Sequence, residues 1–277
     1  MLWSEALDIR PGVIAFVGAG GKTSAIRLLA QELRQRGQRV AITTTTHILP
    51  PEEKWMGQPI LSPDERQVIE AASRGICVAT GPMDERGKLT DIGPEGLALL
   101  AKHFTYVLVE ADGSRRMPCK VPAQHEPVIP SICTQVVGVF GMCALGQTLE
   151  QACFRAPLAA QLLQVTEKTV LLPKHLAALA CSPQGLQKSV DGRPFTLVFN
   201  QAEMNPDGAQ ETANLCLCGG ISRTVCASID KKTWKVFAQT CMEWRRERNT
   251  CAFSFEERET WPPASRGGCG RHSSTSS

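Results

Sequence analysis

Short apolar runs punctuate the chain: "VIAFV" (13–17), "RVAIT" (39–43), "ICVAT" (76–80), "YVLVE" (106–110), "VVGVF" (136–140) and "FTLVF" (195–199), with a further candidate in "RTVCASI" (223–229). Most are continuous rather than alternating, the pattern of strands buried on both faces. Several are separated by stretches of helical period. "TSAIRLLAQELRQRG" sets Ile26, Leu29, Ala30 and Leu33 on one face and stops at Gly37. "DERQVIEAASRG" follows, and "PEGLALLAKH" opens with Pro94 in a first turn. This alternation predicts an α/β fold, a mainly parallel sheet with helices on both faces. Residues 142–194 break the rhythm, with helical pieces around Pro157 and Pro173 and no clear strand, and read as a small helical insertion. The expected organisation is one α/β domain over 1–250. Residues 251–277, rich in Ser, Gly, Pro and Arg, are expected to form a disordered low-complexity tail.

Composition narrows the function classes. A chain of 277 residues, 43% hydrophobic and 21% charged, can bury one substantial core. A net charge of +3 gives no electrostatic footprint for nucleic acid, and the one dense basic run, "WRRER", suits a solvated helix face. The charged N-terminus "MLWSEALDIRPG" is no signal peptide, and no run approaches the roughly 20 apolar residues of a membrane span. Twelve cysteines scatter without a Cys-x-x-Cys pair. They read as thiols of a cytoplasmic protein rather than a zinc site or a disulfide framework.

The chemistry starts at "VIAFVGAGGKTSAIRLLAQEL" (13–33). A strand, then Gly18, Ala19, Gly20, Gly21, Lys22, Thr23 and Ser24, then an amphipathic helix is the setting of a phosphate-binding P-loop. Glycines let backbone N–H groups approach phosphate oxygens, and the helix N-terminus adds its dipole. Lys22 supplies a charge to the β- and γ-phosphates, and the Thr23 hydroxyl a magnesium ligand. The usual pattern places its first glycine where Phe16 stands here, so this loop is two residues short. The bland alternative is a tight strand–helix turn with a solvated lysine. The loop resembles the similarly short one of the Mur ligases, which activate carboxylates with ATP.

Other strand ends supply companions. "TTTTH" closes the second strand, where Thr44 and Thr45 could hold magnesium or its waters, or simply cap the next segment. "VLVEADGSRR" is a strand closing on Glu110 and Asp112, the carboxylates expected at magnesium or at a nucleophile, with Arg115 and Arg116 beside them to meet phosphate charge. Lys22, Glu110, Asp112 and Arg115 are thus the catalytic candidates. "KVPAQHEPVIP" (120–130) confines Lys120, His125 and Glu126 between prolines. "VFNQAE" keeps Asn200 where GTP-binding P-loop proteins have Asn-Lys-x-Asp, but has Gln201 and Glu203 for the Lys and Asp. The base, ATP or GTP, stays open.

In order, "FVGAGGKTS", "TTTTHILP", "VLVEADGSRRMPCKVPAQHEPVIP", "VVGVFG" and "VFNQAE" resemble the YqeC family over about residues 11–230, most specifically from Glu110 to Pro130. The resemblance implies a nucleotide-binding accessory protein that helps to mature selenium-dependent molybdenum hydroxylases. Its partners would be an apo-hydroxylase or a selenium or cofactor donor protein. It implies that Gly18, Gly20, Gly21, Lys22 and Thr23 bind phosphate and that Thr44, Thr45, Glu110 and Asp112 lie at Mg2+. Two activities remain open, an NTPase driving delivery or insertion and a Mur-like ligase or transferase acting on a small acid, beside a nucleotide-binding scaffold without turnover.

Overall fold

A computed structural model describes residues 1–51 and 53–238. The strands are β1 (Gly12–Gly18), β2 (Val40–Thr44), β3 (Ile60–Leu61), β4 (Ile76–Thr80), β5 (Tyr106–Glu110), β6 (Cys119–Lys120), β7 (Gln135–Gly141), β8 (Cys153–Phe154), β9 (Phe195–Asn200), β10 (Arg223–Ser228) and β11 (Thr233–Ala238). The helices are α1 (Trp3–Ala6), α2 (Lys22–Gln35), α3 (Glu65–Ser73), α4 (Gly93–His103), α5 (Leu149–Ala152), α6 (Ala156–Leu163), α7 (Pro173–Cys181) and α8 (Pro206–Cys218).

Nine strands form one mixed, mostly parallel sheet in the order β11-β10-β9-β7-β1-β5-β2-β4-β3, in which only the β10–β11 pair is antiparallel. β1 is the middle strand, and its alternate side chains feed opposite faces, as a strand's period of two requires. Ile14 and Phe16 join a core with α1 and α2, whereas Val13, Ala15 and Val17 join one with α3, α4, α7 and α8. Sequence and structure agree on an α/β architecture. No helix among the described residues is long and apolar enough to cross a membrane.

Residues 142–194 contain α5, α6 and α7, together with a two-residue strand, β8, that the sequence did not announce. β8 pairs in parallel with β6, outside the main sheet. The N-terminus is also more engaged than its charges suggest. Trp3 is fully buried, donates its indole N–H to Ala25 C=O at 3.2 Å and packs on Trp234 with ring centres 5.0 Å apart. The expected tail, 251–277, lies outside the described residues. The parallel strands β1, β2, β5, β7 and β9 all end at one edge of the sheet, and the candidate residues emerge there.

Candidate functional site

β1 hands over to α2 through Gly18-Ala19-Gly20-Gly21, whose glycines have φ of +97°, +77° and +128°. Packing forces these residue types. A Cβ at Gly18 would strike the Val139 carbonyl, one at Gly20 the Gly141 amide and one at Gly21 the Asn200 side chain. Three loop donors are used inside the protein: Gly18 N–H to Asp112 Oδ2 (2.9 Å), Ala19 N–H to Val139 C=O (2.8 Å) and Gly20 N–H to Met117 C=O (3.1 Å). To that extent the glycines serve tight packing. α2 then begins with Gly21 as an N-cap that supplies no side-chain hydrogen bond. Its orphan N–H groups, from Gly21 through Ser24, meet no acceptor among the described residues. The donors available to an anion are therefore those of this first helical turn, at the positive end of a 14-residue helix.

Lys22 is 3% exposed, and its ammonium turns back into the protein. Nζ donates to Gly18 C=O at 2.6 Å and stands 3.0 Å from Asp112 Oδ1 and 3.9 Å from Glu110 Oε1. Burial works against its charge, but Asp112 and then Glu110 outweigh that and hold the ammonium above the ordinary lysine range. Glu110 responds the other way. Burial lifts its carboxyl above the usual range, against the pull of Lys22 and of the Thr23 hydroxyl, which donates to Oε2 at 2.9 Å. These contacts follow from the register, because Phe16 of β1 and Thr44 of β2 both pair with Glu110.

Asp112 leads further in. Its Oδ2 lies 3.0 Å from Nζ of Lys120, which is fully buried and also reaches Gly113 C=O (2.6 Å) and Glu126 Oε2 (2.7 Å). Arg155 clamps Glu126 with two hydrogen bonds of 2.8 and 3.0 Å, and its guanidinium lies over Phe154 at 4.3 Å. Burial alone would raise the Glu126 carboxyl, yet Arg155 and Lys120 bring it down to about 2. A continuous relay, Lys22–Asp112–Lys120–Glu126–Arg155, thus braces the loop with alternating charge. The sequence flagged Lys120 and Glu126 without a role and offered no sign of Arg155. Lys188, which donates to Ala123 C=O and Gln124 C=O and so pins the 120–130 loop, was equally silent.

The remaining candidates divide. Asp112, expected from the sequence at the metal, has Oδ2 taken by Gly18 N–H and the Lys120 ammonium, while its buried Oδ1 lies 3.0 Å from the Lys22 ammonium and makes no hydrogen bond among the described residues, so it braces the loop. Thr44 is fully buried: it donates to Glu110 C=O at 2.8 Å, accepts from Thr46 N–H at 3.0 Å and contacts the Thr46 hydroxyl, which fills its bonding capacity. Thr45 donates to Val128 C=O at 2.7 Å. Asn200 donates to Gly20 C=O at 2.9 Å and accepts from Ile229 N–H at 3.1 Å, so its amide fastens the loop to the segment after β10. Arg115 is exposed and lies over Phe154 at 5.1 Å, with no contact to Lys22 or Glu110. His125 is exposed and makes no hydrogen bond among the described residues. No group of three or more His, Cys, Asp or Glu side chains able to hold a metal exists among them either. A magnesium ion would depend on Thr23, Glu110 and the oxygens of its own ligand, a division usual for that ion.

The family model described as "YqeC protein" matches residues 14–157, from β1 through Arg155 and hence the entire relay. The chain belongs to the YqeC family. It is 36% identical over 188 residues to a protein of Escherichia coli (strain K12) described as "Uncharacterized protein YqeC", an alignment covering 65% of this chain and 72% of that protein.

Proposed function

We propose that the chain binds ATP or GTP with magnesium at a P-loop-like site between α2 and β5. We further propose that it hydrolyses the nucleotide as a cytoplasmic accessory factor in the maturation of selenium-dependent molybdenum hydroxylases. The process is taken from the resemblance of the sequence blocks. The chemistry rests on one observation: an uncapped helix N-terminus stands behind a turn whose three glycines leave no room for a Cβ, with a lysine held between Glu110 at the end of the neighbouring strand and Asp112 just after it.

Each residue then has a task. The first-turn N–H groups of α2 donate to the phosphate oxygens, and Lys22 shares its ammonium with them. Asp112, held by Lys120, keeps Lys22 charged and the loop closed against β7. Glu110 and Thr23, 2.9 Å apart, are the pair that would hold magnesium, which when bound neutralises charge on the β- and γ-phosphates.

The test is equilibrium binding of ATP and GTP with magnesium to the parent and to Lys22→Ala, followed by turnover. The variant should lose on the order of 2–5 kcal/mol of nucleotide affinity, as when one member of a desolvated charge pair is deleted. Because Lys22 is 3% exposed, its unfolding should also be followed, so that lost binding is separated from a loosened fold. Equal binding by parent and variant would sink the proposal. Phosphate release stimulated by an apo-hydroxylase supports the maturation role, whereas release dependent on a small acid points to ligase chemistry.

A further inference from the structure

Ser114–Met117 is a tight turn, closed by Met117 N–H to Ser114 C=O at 3.0 Å. Its two central residues, Arg115 and Arg116, are both left-handed, with φ of +49° and +61°. A turn of that hand is the natural place for Asn-Gly, and long side chains occupy it only under strain.

The turn is fixed to the glycine loop on both sides. On entry, Asp112 accepts Gly18 N–H and pairs with Lys22. On exit, Met117 C=O accepts Gly20 N–H at 3.1 Å, and the next carbonyl, Pro118, accepts Gly141 N–H at 2.7 Å. Arg116 is one residue from the first of these bonds, so the turn lies beside the glycine loop.

The cations of the relay, and Arg27 of α2, have carboxylates: Lys22 has Asp112 and Glu110, Lys120 has Asp112 and Glu126, Arg155 has Glu126, and Arg27 has Glu53 at 2.7 Å. Arg115 and Arg116 are exposed and make no ion pair or hydrogen bond among the described residues, and Arg115 is merely supported by Phe154. A nucleoside triphosphate brings more negative charge than a shared Lys22 and a helix terminus offset, and the excess sits on its outermost group. Two unpaired guanidiniums on a strained turn tied to the glycine loop complement that group. A purely solvated turn would need neither the arginines nor the strain.

We propose that the Arg115–Arg116 turn reads the terminal phosphate, so that the protein distinguishes nucleoside triphosphate from diphosphate. The inference rests on the nucleotide reading above and adds the residues that tell the loaded state from the spent one.

Full-length protein is titrated with magnesium ATP and ADP, and with GTP and GDP, by calorimetry. The parent should prefer triphosphate by at least about tenfold, the contribution of one charge-assisted hydrogen bond. Arg115→Asn combined with Arg116→Gly fits the turn and should melt no lower than the parent. It should lower the triphosphate-to-diphosphate ratio by about tenfold, leaving only what Lys22 and magnesium contribute, with diphosphate affinity moving far less than triphosphate affinity. A variant that keeps the parent's ratio, or a parent without preference, overturns the proposal and leaves nucleotide binding standing. A variant with a lower melting midpoint and both affinities reduced together shows a structural brace and overturns it too. A parent that binds no nucleotide at all fails the underlying reading, and this inference with it.

Discussion

A lysine with no exposed surface must have its charge answered at short range, and Lys120 meets Gly113 C=O, Glu126 and Asp112 at 2.6, 2.7 and 3.0 Å. The arrangement makes Glu126 a stability group. Its carboxyl titrates near 2, brought down by Arg155 and Lys120 against its burial, while an unfolded glutamate titrates at about 4.3. A depressed carboxyl contributes stability that is fully present above the unfolded value and is lost as pH falls through the folded one. Chemical denaturation of the parent from pH 7 to pH 2, minus that of Glu126→Gln, should therefore be flat at neutral pH and collapse between about pH 4.3 and pH 2. The variant should be weaker at pH 7 by about 3 kcal/mol, the cost of breaking a buried pair from one side. A pH-independent difference would remove Glu126 from the ion network. The sequence marked "KVPAQHEPVIP" as loop chemistry, but its histidine is exposed and its lysine and glutamate carry the structure. Nothing in the local pattern shows that Arg155, 29 residues on, faces Glu126.

At the scale of elements, legibility followed apolar continuity. The expected strands at 76–80 and 106–110 match β4 and β5, and β1, β2, β7, β9 and β10 lie within a residue or two of their runs. β3, β6 and β8 hold two residues each, too few for any period to register. α8 escaped notice because its buried face is built from Gly208, Ala209, Thr212, Ala213 and Cys216, small residues with a weak apolar signal. The strand–glycine–helix turn was legible, and tight packing of its glycines was one of its two readings, but not the partners of that packing, β7 and Pro118. Gly20→Ala tests that packing. Its Cβ would press on the Gly141 backbone and the Pro118 carbonyl at φ +77°, so stability should fall by about 1–3 kcal/mol and nucleotide affinity with it. Gly37→Ala is the control, since φ is +72° there but no atom stands within 4 Å. It should show backbone strain alone in thermal melts and leave binding unchanged. Equal effects at both positions would mean that the loop is not crowded.

For the molecule as a whole, the middle position of β1 decides what the site can draw upon. With β5 on one side and β7 on the other, the loop takes carboxylates from the first and a packing wall from the second, and β9 contributes Asn200 from one strand further out. Sequence reading placed the loop and the β5 carboxylates together, because consecutive strand ends of a parallel sheet share an edge. It did not assign Asn200 its structural task, since the bond partners are 180 residues away at Gly20 and 29 away at Ile229. That amide bridge makes Ile229 N–H a natural spectroscopic reporter. It is buried, it is remote in the chain from the glycine turn, and its acceptor belongs to the side chain that holds the Gly20 carbonyl. Loading the loop with magnesium ATP should tighten Asn200, slow hydrogen–deuterium exchange at Ile229 and move its amide resonance. If Gly20 responds and Ile229 does not, the two ends of the bridge move independently. If both respond, the segment after β10 carries a built-in gauge of whether the loop is full.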